Sequence, residues 1–178
     1  VTDIVLNSNN NISSDLLLEV DIIFYLSSQT NVYIAQEDVQ LDLKNSVEPV
    51  LKIFSLLKEL NSKPIFVFAS AATISGLTST LPVDETFPDN PITIYDIHKL
   101  LIEKYLKFYI ETGVVKGAIL RLANVYGEGV KSANKGRGIL NSMIYKALNN
   151  ENLSLYGNGE YIRDYVYIED VIDSFLEV

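Results

Sequence analysis

Pro64-Ile65-Phe66-Val67-Phe68-Ala69-Ser70-Ala71-Ala72-Thr73-Ile74-Ser75-Gly76 and, after a Pro-rich passage ending at Pro91, Tyr95-Asp96-Ile97-His98-Lys99 decide how this chain is read. Residues 64–69 form a short, unbroken apolar run, the pattern of a strand covered on both faces. The small residues from Ser70 to Gly76 then predict a loop. A helical period runs from about Thr93 to Thr112 and ends at Gly113.

On that helix Tyr95 and Lys99 are four residues apart and share a face. A phenol with an ordinary pKa of about 10 is a poor base at neutral pH, and a nearby ammonium favours its ionised form. Lys99 is therefore expected to make Tyr95 a usable proton acceptor. The same pentapeptide also describes an ordinary surface pair, so the rest of the chain must give it meaning.

Upstream, Asp21 to Leu26 is another continuous apolar run and predicts a second strand covered on both faces, followed by the loop Ser27-Ser28-Gln29-Thr30. Leu41, Leu43, Val47, Val50, Leu51, Phe54, Leu57 and Leu60 recur with an approximate helical period. One helix over 39–60, kinked at Pro49, follows from them. Val1–Leu6 is expected to be a short strand, and Asn7–Ser14 a polar loop with a helix starting at Ser14 or Asp15. Val115–Arg121 reads as another strand. Strands alternating with helices imply parallel pairing and right-handed crossovers. The fold class is therefore α/β, a doubly wound parallel sheet, and its ligand lies beyond the carboxyl ends of the strands. Those ends are Ser27–Thr30, Ser70–Gly76 and Leu122–Gly127, all small or polar.

After Gly127 the character changes. Glu128–Gly138 reads as a Gly-rich loop, Ile139–Leu148 as an amphipathic helix and Leu153–Tyr156 as a short strand. Gly157-Asn158-Gly159 is a turn, Tyr165–Ile168 a strand, and Glu169–Val178 a helix.

Composition narrows the chemistry. A net charge of −9 with no basic block argues against nucleic acid or an anionic membrane as partner. With no cysteine and one histidine, thiolate nucleophiles, disulfides and Cys/His zinc clusters are excluded, and a Ser-His-Asp triad would need His98, which is expected to face solvent. No apolar run reaches membrane-spanning length, so a cytoplasmic location is expected and no metal site is proposed.

Three motifs now stand in one order: Tyr95-x-x-x-Lys99, Arg121-Leu-Ala-Asn124-Val-Tyr126-Gly127, and Gly157-Asn-Gly159-Glu-Tyr-Ile-Arg163-Asp164-Tyr-Val-Tyr-Ile-Glu-Asp170. From about Asp21 onward the chain resembles the extended short-chain dehydrogenase/reductase family, in particular its NAD-dependent nucleotide-sugar epimerases and dehydratases, and is most like the UDP-glucose 4-epimerases. The resemblance implies a Rossmann-like domain over 1–127, incomplete here, and part of a nucleotide-sugar-binding region over 128–178. It gives the acid/base role to Tyr95, and to Lys99 the tasks of holding the nicotinamide ribose and lowering the tyrosine pKa. Ser27, Ser28, Thr30 and Asn45 fall on the cofactor side, and Asn124, Asn141 and Arg163 on the sugar-diphosphate side. Arg163 suits a diphosphate because its fork is planar and permanently charged. The resemblance also implies NAD as cofactor and a homodimer through the helices at about 39–60 and 93–112.

Two departures matter. The family's Ser or Thr that shares the substrate proton with the tyrosine falls here on Ala71, so Thr73 or Ser70 is expected to replace it. No Gly-x-Gly pair, at 127/129, 136/138 or 157/159, follows a buried strand and opens a helix, so the pyrophosphate-binding turn has no counterpart. The chain thus reads as the middle of a longer enzyme that would bind NAD poorly by itself. A 4,6-dehydratase needs an Asp-Glu pair where this chain has Ala72-Thr73, and the lack of Cys disfavours an epimerase-reductase. The remaining alternative to a 4-epimerase is a non-catalytic nucleotide-sugar-binding remnant.

Overall fold

The computed structural model describes residue 12 and residues 14–128, 139–155 and 157–178. The chain divides into two compact units at Arg121/Leu122.

In the first unit, β1 (Ile22–Tyr25), β2 (Ile65–Ala71) and β3 (Lys116–Leu122) form a sheet in the order β1-β2-β3. β1 and β2 are parallel, with Ile22 opposite Ile65 and Tyr25 opposite Phe68. The helices of this unit are α1 (Ser14–Leu18), α2 (Val32–Glu37), α3 (Val39–Ser46), α4 (Glu48–Leu60) and α5 (Ile94–Glu111). β2 is central, and Phe66, Val67 and Phe68 are fully buried, as its continuous apolar run requires. The Phe54 ring of α4 sits 5.0 Å from that of Phe66 and 4.6 Å from that of Tyr109 on α5, which draws both helices onto the sheet. Val50, Ile53, Leu57, Ile102 and Leu106 complete this core.

Two expectations change. Among the described residues, β1 within the run from Asp21 to Leu26 pairs with β2 alone, and its Ile22 and Phe24 remain 44% and 40% exposed; an apolar run identifies a strand but not whether both faces are covered. The helix over 39–60 is two helices that break at Val47. Pro49 falls in the first turn of α4, where its missing N–H costs nothing, so it starts a helix and does not kink one. Between the loop Ser27–Thr30 and α3, a stretch without an expected element, lies α2, capped by Asn31, whose Oδ1 accepts from the N–H groups of Tyr33 and Ile34.

In the second unit, β4 (Asn124–Tyr126) and β5 (Tyr165–Tyr167) pair in parallel, with Asn124 opposite Tyr165. α6 (Ile139–Leu148) and α7 (Ile168–Glu177) complete it, and α7 buries Val171 and Phe175. The segment expected as a strand-end loop at 122–127 therefore contains a strand of its own. Residues 153–155, expected as a strand, are irregular and exposed, because no described strand pairs with them. Ile168 opens α7 and does not extend β5. The expected strand at 1–6, the loop at 7–14 apart from residues 12 and 14, the Gly-rich segment beyond Glu128, and Tyr156 lie outside the described residues.

Candidate active site

The first turn of α5 is built to be rigid. Thr93 caps it, accepting from the Asp96 N–H at 3.1 Å and donating its hydroxyl to Asp96 Oδ2 at 2.6 Å. The other Asp96 oxygen accepts the Thr73 hydroxyl at 2.5 Å, tying α5 to the 3-10 turn Ala72–Ser75 that ends β2. Gly76 closes that turn at φ +69°, and a Cβ there would run into the carbonyl of Asn90, whose N–H donates to Ile74. Tyr95 is thus held between a cap and a strand end.

Tyr95 is half-buried and Lys99 is 4% exposed. The Lys99 ammonium donates to the Ala69 carbonyl at 2.6 Å and lies 4.8 Å from the Phe68 ring centroid and 5.7 Å from that of Tyr95. Burial pulls the Lys99 amine down to about 8, against the raising charges of Asp42 and Glu103. Burial, with the charges of Asp96 and Asp42, pushes the Tyr95 phenol up to about 12. Desolvation and the two carboxylates set that direction, and the Lys99 hydrogen bond goes to the backbone.

Ser70 and Thr73 separate clearly. Ser70 is buried and donates to Glu103 Oε1 at 2.6 Å, and Glu103 takes a two-point contact from Arg121 at 2.9 and 2.7 Å. Arg121 also reaches Asp89 at 2.6 Å, and Asp89 is paired with Lys104. Ser70 therefore belongs to a network joining β2, α5, β3 and the Pro-rich segment, whereas Thr73 is exposed beside the first turn of α5. Ala71, between them in sequence, is buried.

The loop after β1 is anchored on α3. Gln29 N–H donates to Ser46 Oγ at 3.1 Å, Ser46 Oγ donates to Asp42 Oδ1 at 3.3 Å, and Asp42 Oδ2 lies 2.5 Å from His98 Nδ1. His98 is buried, contrary to the exposure expected of it, because α3 places a carboxylate opposite its ring. Ser27 and Ser28 are half-buried and Thr30 is exposed in that loop, while Asn45 is half-buried on α3. Asp42 and His98 were not legible as a pair: Asp42 precedes Ser46 by one helical turn, but its other partner is 56 residues away.

In the second unit the Asn124 side chain donates to the Asp164 carbonyl at 2.8 Å, beside Arg163, so β4–β5 pairing brings these two motifs together. Asn141 Oδ1 accepts from the Gly127 N–H at 3.4 Å. Arg163 is exposed and has no ion pair among the described residues; its guanidinium stands 6.0 Å from the Tyr161 ring.

A parallel sheet with a phenol and an ammonium one turn apart beyond the end of its central strand defines a Rossmann-like protein of the dehydrogenase/reductase type. Residues 6–178 match the NAD dependent epimerase/dehydratase family, and the chain belongs to it. It is 32% identical over 154 residues to a putative UDP-glucose 4-epimerase of Methanocaldococcus jannaschii, covering 86% of this chain and 50% of that protein. The structure is similar to the UDP-N-acetylglucosamine 4-epimerase of Methanobrevibacter ruminantium M1 in complex with UDP-N-acetylmuramic acid, with TM-score 0.85, 25% identity, and coverage of 92% of this chain and 52% of that one. It is similar too to the UDP-glucose 4-epimerase of Thermotoga maritima with UDP-glucose, with TM-score 0.83, 28% identity, and coverage of 92% and 55%. The chain spans about half the length of the curated relatives it matches.

Proposed function

We propose that this chain carries the acid/base half of an NAD-dependent nucleotide-sugar 4-epimerase. The observation that carries the reading is Lys99: a buried ammonium beside Tyr95 that spends one of its three N–H donors on Ala69 and, among the described residues, has no carboxylate in contact. Two free donors on a buried cation fit the neighbouring hydroxyls of a nicotinamide ribose, so NAD suits the residues present. Bound there, NAD supplies the hydride acceptor and donor and a positive ring charge.

Tyr95 Oη then takes the proton of the sugar 4-hydroxyl as that carbon is oxidised, and returns it after the 4-keto sugar has turned its other face. Lys99 stabilises the phenolate that forms while the proton is held. Thr73 is the hydroxyl that stands in for the one missing at Ala71. Ser27, Ser28, Thr30 and Asn45 serve the cofactor side, and Asn124, Asn141 and Arg163 the sugar diphosphate. Arg163 supports this by being exposed and without an ion pair among the described residues.

We further propose a homodimer through α3, α4 and α5, supported by the exposed apolar residues Leu41, Ile97 and Phe108 on α3 and α5. No helix among the described residues is long and apolar enough to cross a membrane, and a cytoplasmic location goes with this reading.

The test is incubation of the full-length protein with NAD and UDP-glucose or UDP-N-acetylglucosamine, with the products separated by chromatography. Conversion to the 4-epimer is expected. Binding of the nucleotide sugar without conversion would favour a non-catalytic binding protein, the reading to which Ala71 lends support.

A further inference from the structure

We propose that Asp42 is a positioning residue for this site: from α3 its carboxylate ties the loop after β1 to the turn of α5 that carries Tyr95 and Lys99, and its charge helps to keep the Lys99 ammonium. The proposal rests on the epimerase reading for its purpose but not for its geometry.

Two unbroken sets of contacts support it. On one side Asp42 accepts from Ser46, whose Oγ accepts the Gln29 N–H, while the Ser46 carbonyl accepts the Tyr25 hydroxyl at 3.4 Å. On the other side Asp42 meets His98, the residue before Lys99, with side chains only 2% and 7% exposed. A buried carboxylate is costly unless it is hydrogen-bonded, and here both oxygens are occupied, so the arrangement is built and well satisfied.

Its electrostatic reach follows from the same burial. The charges raising the Lys99 amine are Asp42 from α3 and Glu103 from its own helix, and Glu103 is already held by Arg121. β2, which packs against α5, brings only the Phe68 ring and the Ala69 carbonyl, with no ionisable side chain. α2 carries Tyr33 and Glu37, both exposed, and His98 is engaged by Asp42 itself. Asp42 is therefore the charge that reaches Lys99 from outside its own helix. Burial, then Asp96, and after them Asp42 oppose ionisation of Tyr95.

The experiment titrates Lys99 directly in full-length protein labelled with [ε-13C]lysine, its NMR signal assigned by its loss in Lys99→Arg. Asp42→Asn keeps the shape and removes the charge, and the Lys99 midpoint is expected to fall by about one pH unit. An unmoved midpoint would overturn the electrostatic role. Ser46→Ala, a small change that leaves the Asp42 charge in place, is expected to speed hydrogen exchange at the Gln29 amide roughly tenfold without moving Lys99. Unchanged exchange would overturn the positioning role. NAD affinity measured at pH 8 on the same proteins separates the two readings. Weaker binding by Asp42→Asn than by wild type is expected, and a wild-type protein that binds no NAD overturns the epimerase reading while leaving the Lys99 titration to decide the role of Asp42.

Discussion

At the scale of single residues, the site depends on which hydroxyl is free to act. Ser70 donates to buried Glu103, so Ser70→Ala leaves that carboxylate one partner short and should lower stability by about 1–2 kcal/mol, read by denaturant unfolding. Thr73→Val should cost a similar amount, since Asp96 is buried and loses that hydroxyl, but should also lower turnover on the order of 10²-fold because Thr73 is exposed beside the turn bearing Tyr95. Equal turnover in the Thr73 variant would remove it from the mechanism. Lys99 makes a second prediction. Its amine is depressed from the ordinary 10.5 to about 8 in the folded chain, so between those pH values the unfolded chain binds more protons than the folded one. Stability contributed by this residue must therefore rise as pH goes from 8 to 10. Lys99→Met should flatten that part of the stability profile, and an unchanged slope would mean that the amine titrates normally. Above pH 10 the raised Tyr95 phenol works in the opposite direction, because the unfolded chain then loses its phenolic proton first.

At the scale of elements, much of the architecture was legible because its signals are local. The run at 64–69, the period of 93–112 and the glycine at 113 each report a strand, a helix or a stop without knowledge of what lies opposite, and β2 and α5 fall where they are read. What was not legible depends on neighbours. Nothing in Ile22-Ile23-Phe24-Tyr25 says that β1 has a single partner strand among the described residues, and nothing in Leu153 to Tyr156 says whether a partner strand exists. Pro49 was read as a kink because its partner signal, a break at Val47, is a matter of geometry. Thr93, where the helical period begins, precedes Asp96 by three residues and caps α5 from there. Thr93→Ala should cost about 1 kcal/mol by unfolding. It should also lower turnover, because the same hydroxyl steadies the turn that carries Tyr95. Gly117→Ala should cost more, about 1–3 kcal/mol, since a Cβ there meets the carbonyl of Phe66 on β2 and forces β3 away.

At the scale of the whole molecule, the chain belongs to a family it matches over residues 6–178 and carries a phenol and a buried ammonium on one helix. The homodimer proposed through α3 to α5 predicts that Ile97→Glu with Phe108→Glu yields a monomer by light scattering, with the fold intact by circular dichroism; a dimer that survives both charges would place the interface elsewhere. In the proposed reaction Tyr95 moves the proton while hydride leaves the sugar C4 and returns to it. The most direct measurement follows UDP-glucose and UDP-N-acetylglucosamine deuterated at C4 through the full-length protein with NAD, reading the product by NMR beside a Tyr95→Phe control. The account requires the 4-epimer to appear with its deuterium still on C4, and the rate to fall at least about 10²-fold in the variant. A product carrying solvent hydrogen at C4, or a Tyr95→Phe protein that turns over as fast as wild type, would contradict it.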